Sequence, residues 1–436
     1  MKKIFSIVLV MVSILMTACG GSKAEENKPL SSEGISKDIT AELRIWSWDV
    51  AAKGLRDTVE SFNEIYPNVK VTVEEVGTND TYQKLTIGLN SDTGLPDIVT
   101  VETDAFVKYP PNFPNGFVDL TPVAKGFQAD FDPSKWELGS FEGNILALPW
   151  DSAPGALFYR RDMFAKAGVD PASIITWDDF IAAGKAVQTA NPGVKMFPIN
   201  YAKGAYVHNM IMNSQGAGTF NKEGEIILGN EESIKSFKLQ RRMLDEGLTY
   251  NADSWNTLVI ATKNSEVATV AYGGWWGGTL KDQMPEQSGQ WGVIPFPAFT
   301  EGQNTANYVG GASLAIPSQS KNQQLAWEFI KNALVNKENQ IMMYKKYDLF
   351  PAYLPSFEDD YFQLGDPYFA DQKVGKFLAE IVPNINKSYS NEDSSESGEF
   401  VLTAQAAVLT GGADPETELK KAAKAISSAT GRAIAK

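Results

Sequence analysis

Runs of β-forming residues alternate with single amphipathic stretches from Leu43 onward, and that alternation limits what the chain can fold into. Leu43 to Trp48 reads as a strand; Leu55, Val59, Phe62 and Tyr66 then recur at helical spacing until Pro67 stops the pattern. Val69, Val71 and Val73 alternate next, a helical stretch covers Tyr82 to Leu89, and Ile98 to Val101 reads as a further strand. Strands separated by single helices pair in parallel and need cover on both faces, so the class expected is α/β.

The pattern returns after Leu148. Leu157 to Tyr159 reads as a strand. Thr176-Trp177-Asp178-Asp179 has the form of a capping box, which predicts a helix with Phe180, Ile181 and Val187 on its buried face. Ile234, Phe237, Arg241 and Leu244 mark another helix that Gly247 ends, Val267 to Tyr272 a strand, and Leu325, Phe329, Ile330 and Leu334 one face of a later helix. Ser388 to Glu399 reads as a polar, acidic loop. At 436 residues with 43% hydrophobic content, the chain has material for about two domains or more. A net charge of -14 without a Lys/Arg cluster makes nucleic acid a poor partner.

The N-terminus reads as an export signal: Lys2 and Lys3, an apolar run from Ile4 to Met16 too short to span a bilayer, then small residues before Cys19, the only cysteine. Leu15 to Cys19 (LMTAC) resembles the lipobox of bacterial lipoproteins, which implies cleavage before Cys19 and acylation of its thiol. The mature protein would then have no disulfide, so its stability must come from packing. Residues 20–40 are polar and aperiodic and read as a flexible tether.

His208 is the only histidine, which leaves little for nucleophilic triads and excludes zinc sites with several imidazoles. Neither a G-x-S-x-G elbow, a P-loop, an EF-hand loop nor a G-x-G-x-x-G after a strand is present, and no cofactor is expected. The positive signal is tryptophan and acid at the ends of strands: Trp48 and Asp49 after the first, Glu102 and Asp104 after the Ile98 strand, Trp150 and Asp151 before the Leu157 strand, Trp275 and Trp276 between glycine pairs after the Val267 strand. Ligands of open α/β sheets sit outside such ends. An indole offers a flat face to the C–H side of a sugar ring, while carboxylates accept from its hydroxyls, so the combination points to a carbohydrate pocket. Asp49, Asp104 and Asp151 could equally cap helices, and Trp46, Trp177 and His208 read more readily as structural residues.

Taken together, these segments resemble the extracellular solute-binding proteins of bacterial ABC importers, in the cluster that includes maltose-binding protein. The marks are Leu43 to Asp49 (LRIWSWD), Leu95 to Ile98 (LPDI), Leu148 to Trp150 leading into Leu157 to Phe164 (LFYRRDMF), Thr176 to Phe180, Val267 to Tyr272 with Trp275, and Val309 to Ser313 before Ile316 and Pro317. The resemblance implies two hinged α/β lobes of type II with ligand between them: an N-terminal lobe of 41–150 and 311–355, a C-terminal lobe of 151–310 and 356–436, and hinge crossings near Pro149 to Ala153 and Tyr308 to Gly311. It carries ligand contact over to Trp48, Asp49, Glu102, Asp104, Trp150, Asp151, Trp275 and Trp276, with Tyr201 and His208 as further candidates. The family pattern departs at Gly398, Glu399 and Phe400, where an aromatic pair is expected. The function implied is a monomeric, non-catalytic protein that binds an oligosaccharide, taken as a glucose-based α-glucan fragment, and delivers it to a membrane permease, with membrane contact through the lipid on Cys19 alone. The rivals are a secreted glycosidase using cleft carboxylates and a binding protein for a solute such as a polyamine.

Overall fold

A computed structural model describes residues 29–435. The expected leader with Cys19 and the first part of the expected tether lie outside them. The tether expected to reach residue 40 is shorter: Leu30 is buried in the first lobe's core, and Ser31 exchanges backbone hydrogen bonds of 2.8 and 2.9 Å with the Gln324 side chain. Leu30, Ile35 and Ile39 supply apolar anchors spaced too irregularly to read as an element.

The first lobe is built on a five-stranded sheet in the order Val69–Glu75, Ala41–Ser47, Ile98–Glu102, Ala312–Ala315, Ala147–Pro149. The first three run parallel, and Ala312–Ala315 is antiparallel to both of its neighbours. Leu43, Ile45, Ile98 and Leu314 enter one apolar cluster; Trp46, Val99, Val101 and Ala315 enter another. That division follows the two-residue period of a strand and shows a sheet covered on both faces, as parallel pairing demands. Helix Asp49–Ile65 buries Ala51, Ala52, Leu55, Thr58 and Phe62 along one stripe.

The second lobe repeats this order. Thr249–Asn251 pairs in parallel with Phe197–Ile199, Lys195 bridges Val267 in parallel, and Gly155–Arg160 lies antiparallel between Thr269–Gly273 and Trp291–Ile294. In each lobe the antiparallel strand is the one that has just crossed from the other lobe. Helix Trp177–Ala190 starts with both bonds of the expected capping box: Thr176 N–H donates to Asp179 at 2.8 Å and Asp179 N–H to Thr176 Oγ1 at 3.3 Å. The expected loop of 388–399 is only half a loop, since helix Ser394–Leu409 begins inside it and sends Val401, Ala404 and Val408 into the second lobe's core.

Three segments join the lobes: 150–154, 307–311 and 349–352. They pair with one another, through Val309 N–H to Ala153 O (3.1 Å), Ser152 N–H to Phe350 O (3.0 Å) and Ala352 N–H to Trp150 O (2.9 Å), and Gly155 N–H, at the start of the next strand, donates to Asn307 O (2.7 Å). Backbone in the left-handed region gathers here, at Ala153, Gly310 and Gly311 (φ 45°, 79° and 94°). Only glycine adopts such angles without cost, which explains the glycine pair at 310 and 311.

Candidate functional site

A cleft of about 810 Å³ lies between the lobes, with the crossing segments as its floor. The first lobe reaches it through the carboxyl ends of its strands. Trp48 and Asp49 follow Ala41–Ser47, and Glu102 ends Ile98–Glu102. Helix Asp49–Ile65 has no side-chain cap, so the N–H groups of its first turn, Asp49 to Ala51, stand at the cleft wall without the partner a Ser or Asp cap would give. Asp49 itself is exposed with φ 43° and does not cap this helix. Trp48 is half-buried and meets Tyr82 edge-on at 6.3 Å. Tyr82 donates to Glu102 Oε2 at 2.7 Å and accepts from the Glu102 N–H at 3.2 Å, which sets the carboxylate's orientation. Burial first, then the Glu102 charge, drives the Tyr82 hydroxyl's pKa far up, so it stays a donor.

The second lobe supplies indole faces. Trp275 lies just past Thr269–Gly273, half-buried, and its Nε1–H donates to Val309 O of the crossing at 3.1 Å. Trp255, the first residue of helix Trp255–Lys263, is 44% exposed and lies beside Trp275, centroids 5.9 Å apart with 34° between planes. Val259 and Ile260 extend that apolar wall by one turn. Sequence reasoning missed Trp255. The available signal was a tryptophan directly after the helix cap Ser254, whose hydroxyl accepts from the Thr257 N–H, in an otherwise polar stretch.

On the floor, Trp150 lies almost wholly in the first lobe's core and lines the cleft, and the Asp151 carboxylate is buried. Burial pushes the Asp151 pKa up to about 7, against the pull of the Ala153 N–H (2.8 Å) and of Lys135. Both signs of charge line the walls: Asp49, Glu102 and Asp282 against Lys53, Lys345 and Lys346. Among the described residues no group of three or more His, Cys, Asp or Glu could hold a metal ion.

Four expected contacts lie elsewhere. Trp276 is 0% exposed, stacked on Tyr272 in the second lobe's core, because the helix that starts there turns its ring away from the cleft. His208 is buried with Nδ1 2.8 Å from Ser236 Oγ and its ring edge-on to Phe237; burial holds the imidazole neutral, its pKa pushed down to about 3. Tyr201 packs on the same core with its hydroxyl 2.6 Å from Thr249 Oγ1. Asp104 accepts from the Tyr308 hydroxyl at 2.9 Å and so serves the hinge instead of the cleft wall.

Residues 46–340 match the model of the bacterial extracellular solute-binding protein family. The chain belongs to that family. It is 26% identical over 421 residues to the arabinooligosaccharide-binding protein of Bacillus subtilis (strain 168), covering 92% of this chain and 93% of the relative. It is 30% identical over 373 residues to the lactose-binding protein of Rhizobium radiobacter, covering 81% and 86%. The ABC transporter associated binding protein from B. animalis subsp. lactis Bl-04, solved in complex with β-1,6-galactobiose, superposes with a TM-score of 0.76 at 23% identity over 91% of this chain and 100% of that one. The two-lobed arrangement is the type II form of the family, and membership makes the protein a solute-binding component of extracytoplasmic location.

Proposed function

We propose that this protein is the oligosaccharide-binding component of an ABC importer, anchored to the outer face of the plasma membrane by lipid on Cys19, monomeric and without catalytic activity. The ligand lies with ring faces against Trp255 and Trp275 and hydroxyls turned to Glu102, Asp49 and Asp151. Closure of the lobes over it selects the state that the permease subunits accept. The observation that carries this reading is the indole pair of one lobe, exposed Trp255 beside half-buried Trp275, opposite the uncapped helix and oriented carboxylate of the other. Stacking faces and fixed hydrogen-bond acceptors are what a neutral sugar requires. The names of the two relatives support the same ligand class. A polyamine would meet Lys53, Lys345 and Lys346 on the same walls, which disfavours a cationic solute.

A thermal-shift screen tests this with arabino- and galacto-oligosaccharides, lactose and the glucose-based α-glucans expected from the cleft aromatics. A ligand at a hundred times its dissociation constant stabilises the native state by about 2.7 kcal/mol. A salt-insensitive shift with a neutral glycan, with no release of shorter sugars, supports the reading. A shift with spermidine alone would select the cation-binding alternative, and hydrolysis of the glycan would select an enzyme.

A further inference from the structure

Two adjacent carbonyls in the 307–311 crossing are held from opposite lobes. Val309 O accepts from the Trp275 indole N–H of the second lobe (3.1 Å), and Gly310 O accepts from the Lys135 ammonium of the first (2.7 Å). Lys135 stands in helix Pro133–Leu138, is completely buried, and has its Nζ 3.5 Å from the ring centroid of Tyr308. Tyr308 belongs to the same crossing, and its hydroxyl reaches back to Asp104 of the first lobe. The fit leaves no slack: a Cβ on Gly311 would stand 2.6 Å from Asp151 O and 3.0 Å from Lys135 Nζ.

A buried ammonium with one carbonyl and one ring as partners is a poor source of stability, because apolar packing of the same volume avoids its desolvation cost. Among the described residues it forms no ion pair within 4.0 Å. Burial lowers its pKa, and Asp104, Asp132, Asp151 and Glu102 act against that shift. Its position is informative: it grips the one peptide next to the peptide that a cleft tryptophan grips.

We propose that Lys135 is a positioning residue of the ligand cleft: by fixing the Gly310 carbonyl while Trp275 fixes that of Val309, it sets the angle between the lobes and transmits the seating of ligand on Trp275 to the hinge, without touching the ligand. The inference rests on Trp275 being a ligand contact, as in the function proposed above. With only the first lobe's pin removed, the peptides at Gly310 and Gly311 turn more freely and the lobes sample a wider range of angles.

The test combines solution X-ray scattering of the ligand-free protein with calorimetric titration of whichever glycan the screen identifies. Variants are Lys135→Met, Lys135→Arg and Trp275→Phe, each first checked for cooperative unfolding. Lys135→Met is expected to broaden or shift the scattering profile and to weaken binding by tenfold or more. Lys135→Arg, which keeps a donor and a charge, should recover binding to within about threefold of the parent. Trp275→Phe keeps an aromatic face but loses the bond to Val309, and should change scattering in the same sense. A Lys135→Met protein with a lowered melting temperature but unchanged scattering and affinity would overturn the proposal and leave Lys135 a packing residue. If the parent binds no glycan, the proposed function fails; the scattering comparison then decides the hinge assignment alone. Should Lys135→Met not fold, Trp275→Phe with unchanged scattering would overturn it.

Discussion

The two lobes share a strand order but bring different chemistry to the cleft. The first presents polar groups: Asp49, Glu102 held by Tyr82, and the N–H groups of an uncapped helix. The second presents the wider apolar surface, Trp255, Trp275, Val259 and Ile260, although Asp282 also stands on its wall and the first lobe adds the indole of Trp48. One lobe therefore offers mainly orientation and the other mainly contact area. Hydrogen bonds to a sugar are directional and replace water of similar quality, so their net value is small but selective, whereas indole contact is less selective and contributes more. In the proposed function, affinity belongs mainly to the second lobe and discrimination between sugars to the first.

The sharpest way to break this comparison uses the adjacent tryptophans of the second lobe. Trp276→Ala empties a fully buried site and should destabilise the fold by about 3–5 kcal/mol in denaturant titrations, with the affinity of the folded fraction little changed. Trp275→Ala should do the reverse, leaving stability within about 1 kcal/mol and costing about 2 kcal/mol of glycan binding, roughly 30-fold by calorimetry. Trp255→Ala, exposed and without a hydrogen bond from its ring to the crossing, should cost about 1–1.5 kcal/mol, roughly tenfold. Glu102→Gln should change affinity by only about 1 kcal/mol but alter the ranking among sugars that differ at one hydroxyl. If Trp255→Ala changed the ranking and Glu102→Gln only the overall strength, the division between the lobes would be reversed.

The smallest effect is in pH. The folded-state pKa of Asp151 lies above its unfolded value, so the folded protein holds the extra proton. That contribution is complete below the unfolded carboxylate range and is lost as pH rises towards about 7. His208 acts with the opposite sign: its folded pKa is depressed to about 3, so stability is lost as pH falls below the ordinary imidazole range. The two slopes overlap between about pH 4 and 6.5 and oppose each other there. Melting temperatures of Asp151→Asn should therefore rise with pH over that interval more steeply than those of the parent.

How much was legible in the chain differs between the lobes for a physical reason. Strands of seven residues such as Ala41–Ser47 and Val69–Glu75 show their period in sequence, whereas Phe197–Ile199, with Pro198 at its centre, and Thr249–Asn251 have three residues each and show none. Tryptophan and acid at strand ends marked the cleft region because strand ends are visible as places where alternation stops. Which of two neighbouring indoles faces out was not visible, since Trp275 and Trp276 differ only in their rotation about a helix that begins between them. Trp255 was hidden by its position after a helix cap instead of a strand, and Tyr201, His208 and Asp104 by partners far away in sequence: Thr249, Ser236 and Tyr308.

Ala312–Ala315 lies between Ile98–Glu102 and Ala147–Pro149, so the lobe that begins earliest in the chain is finished by residues made more than 150 positions later. During synthesis that lobe lacks an interior strand until the other half has left the ribosome, and its partly formed sheet carries an open edge all that time. Such long-range pairing slows folding. In the proposed function the chain crosses a membrane before it becomes compact, and this delay would suit that route, because the architecture itself postpones the moment when the chain can no longer be moved.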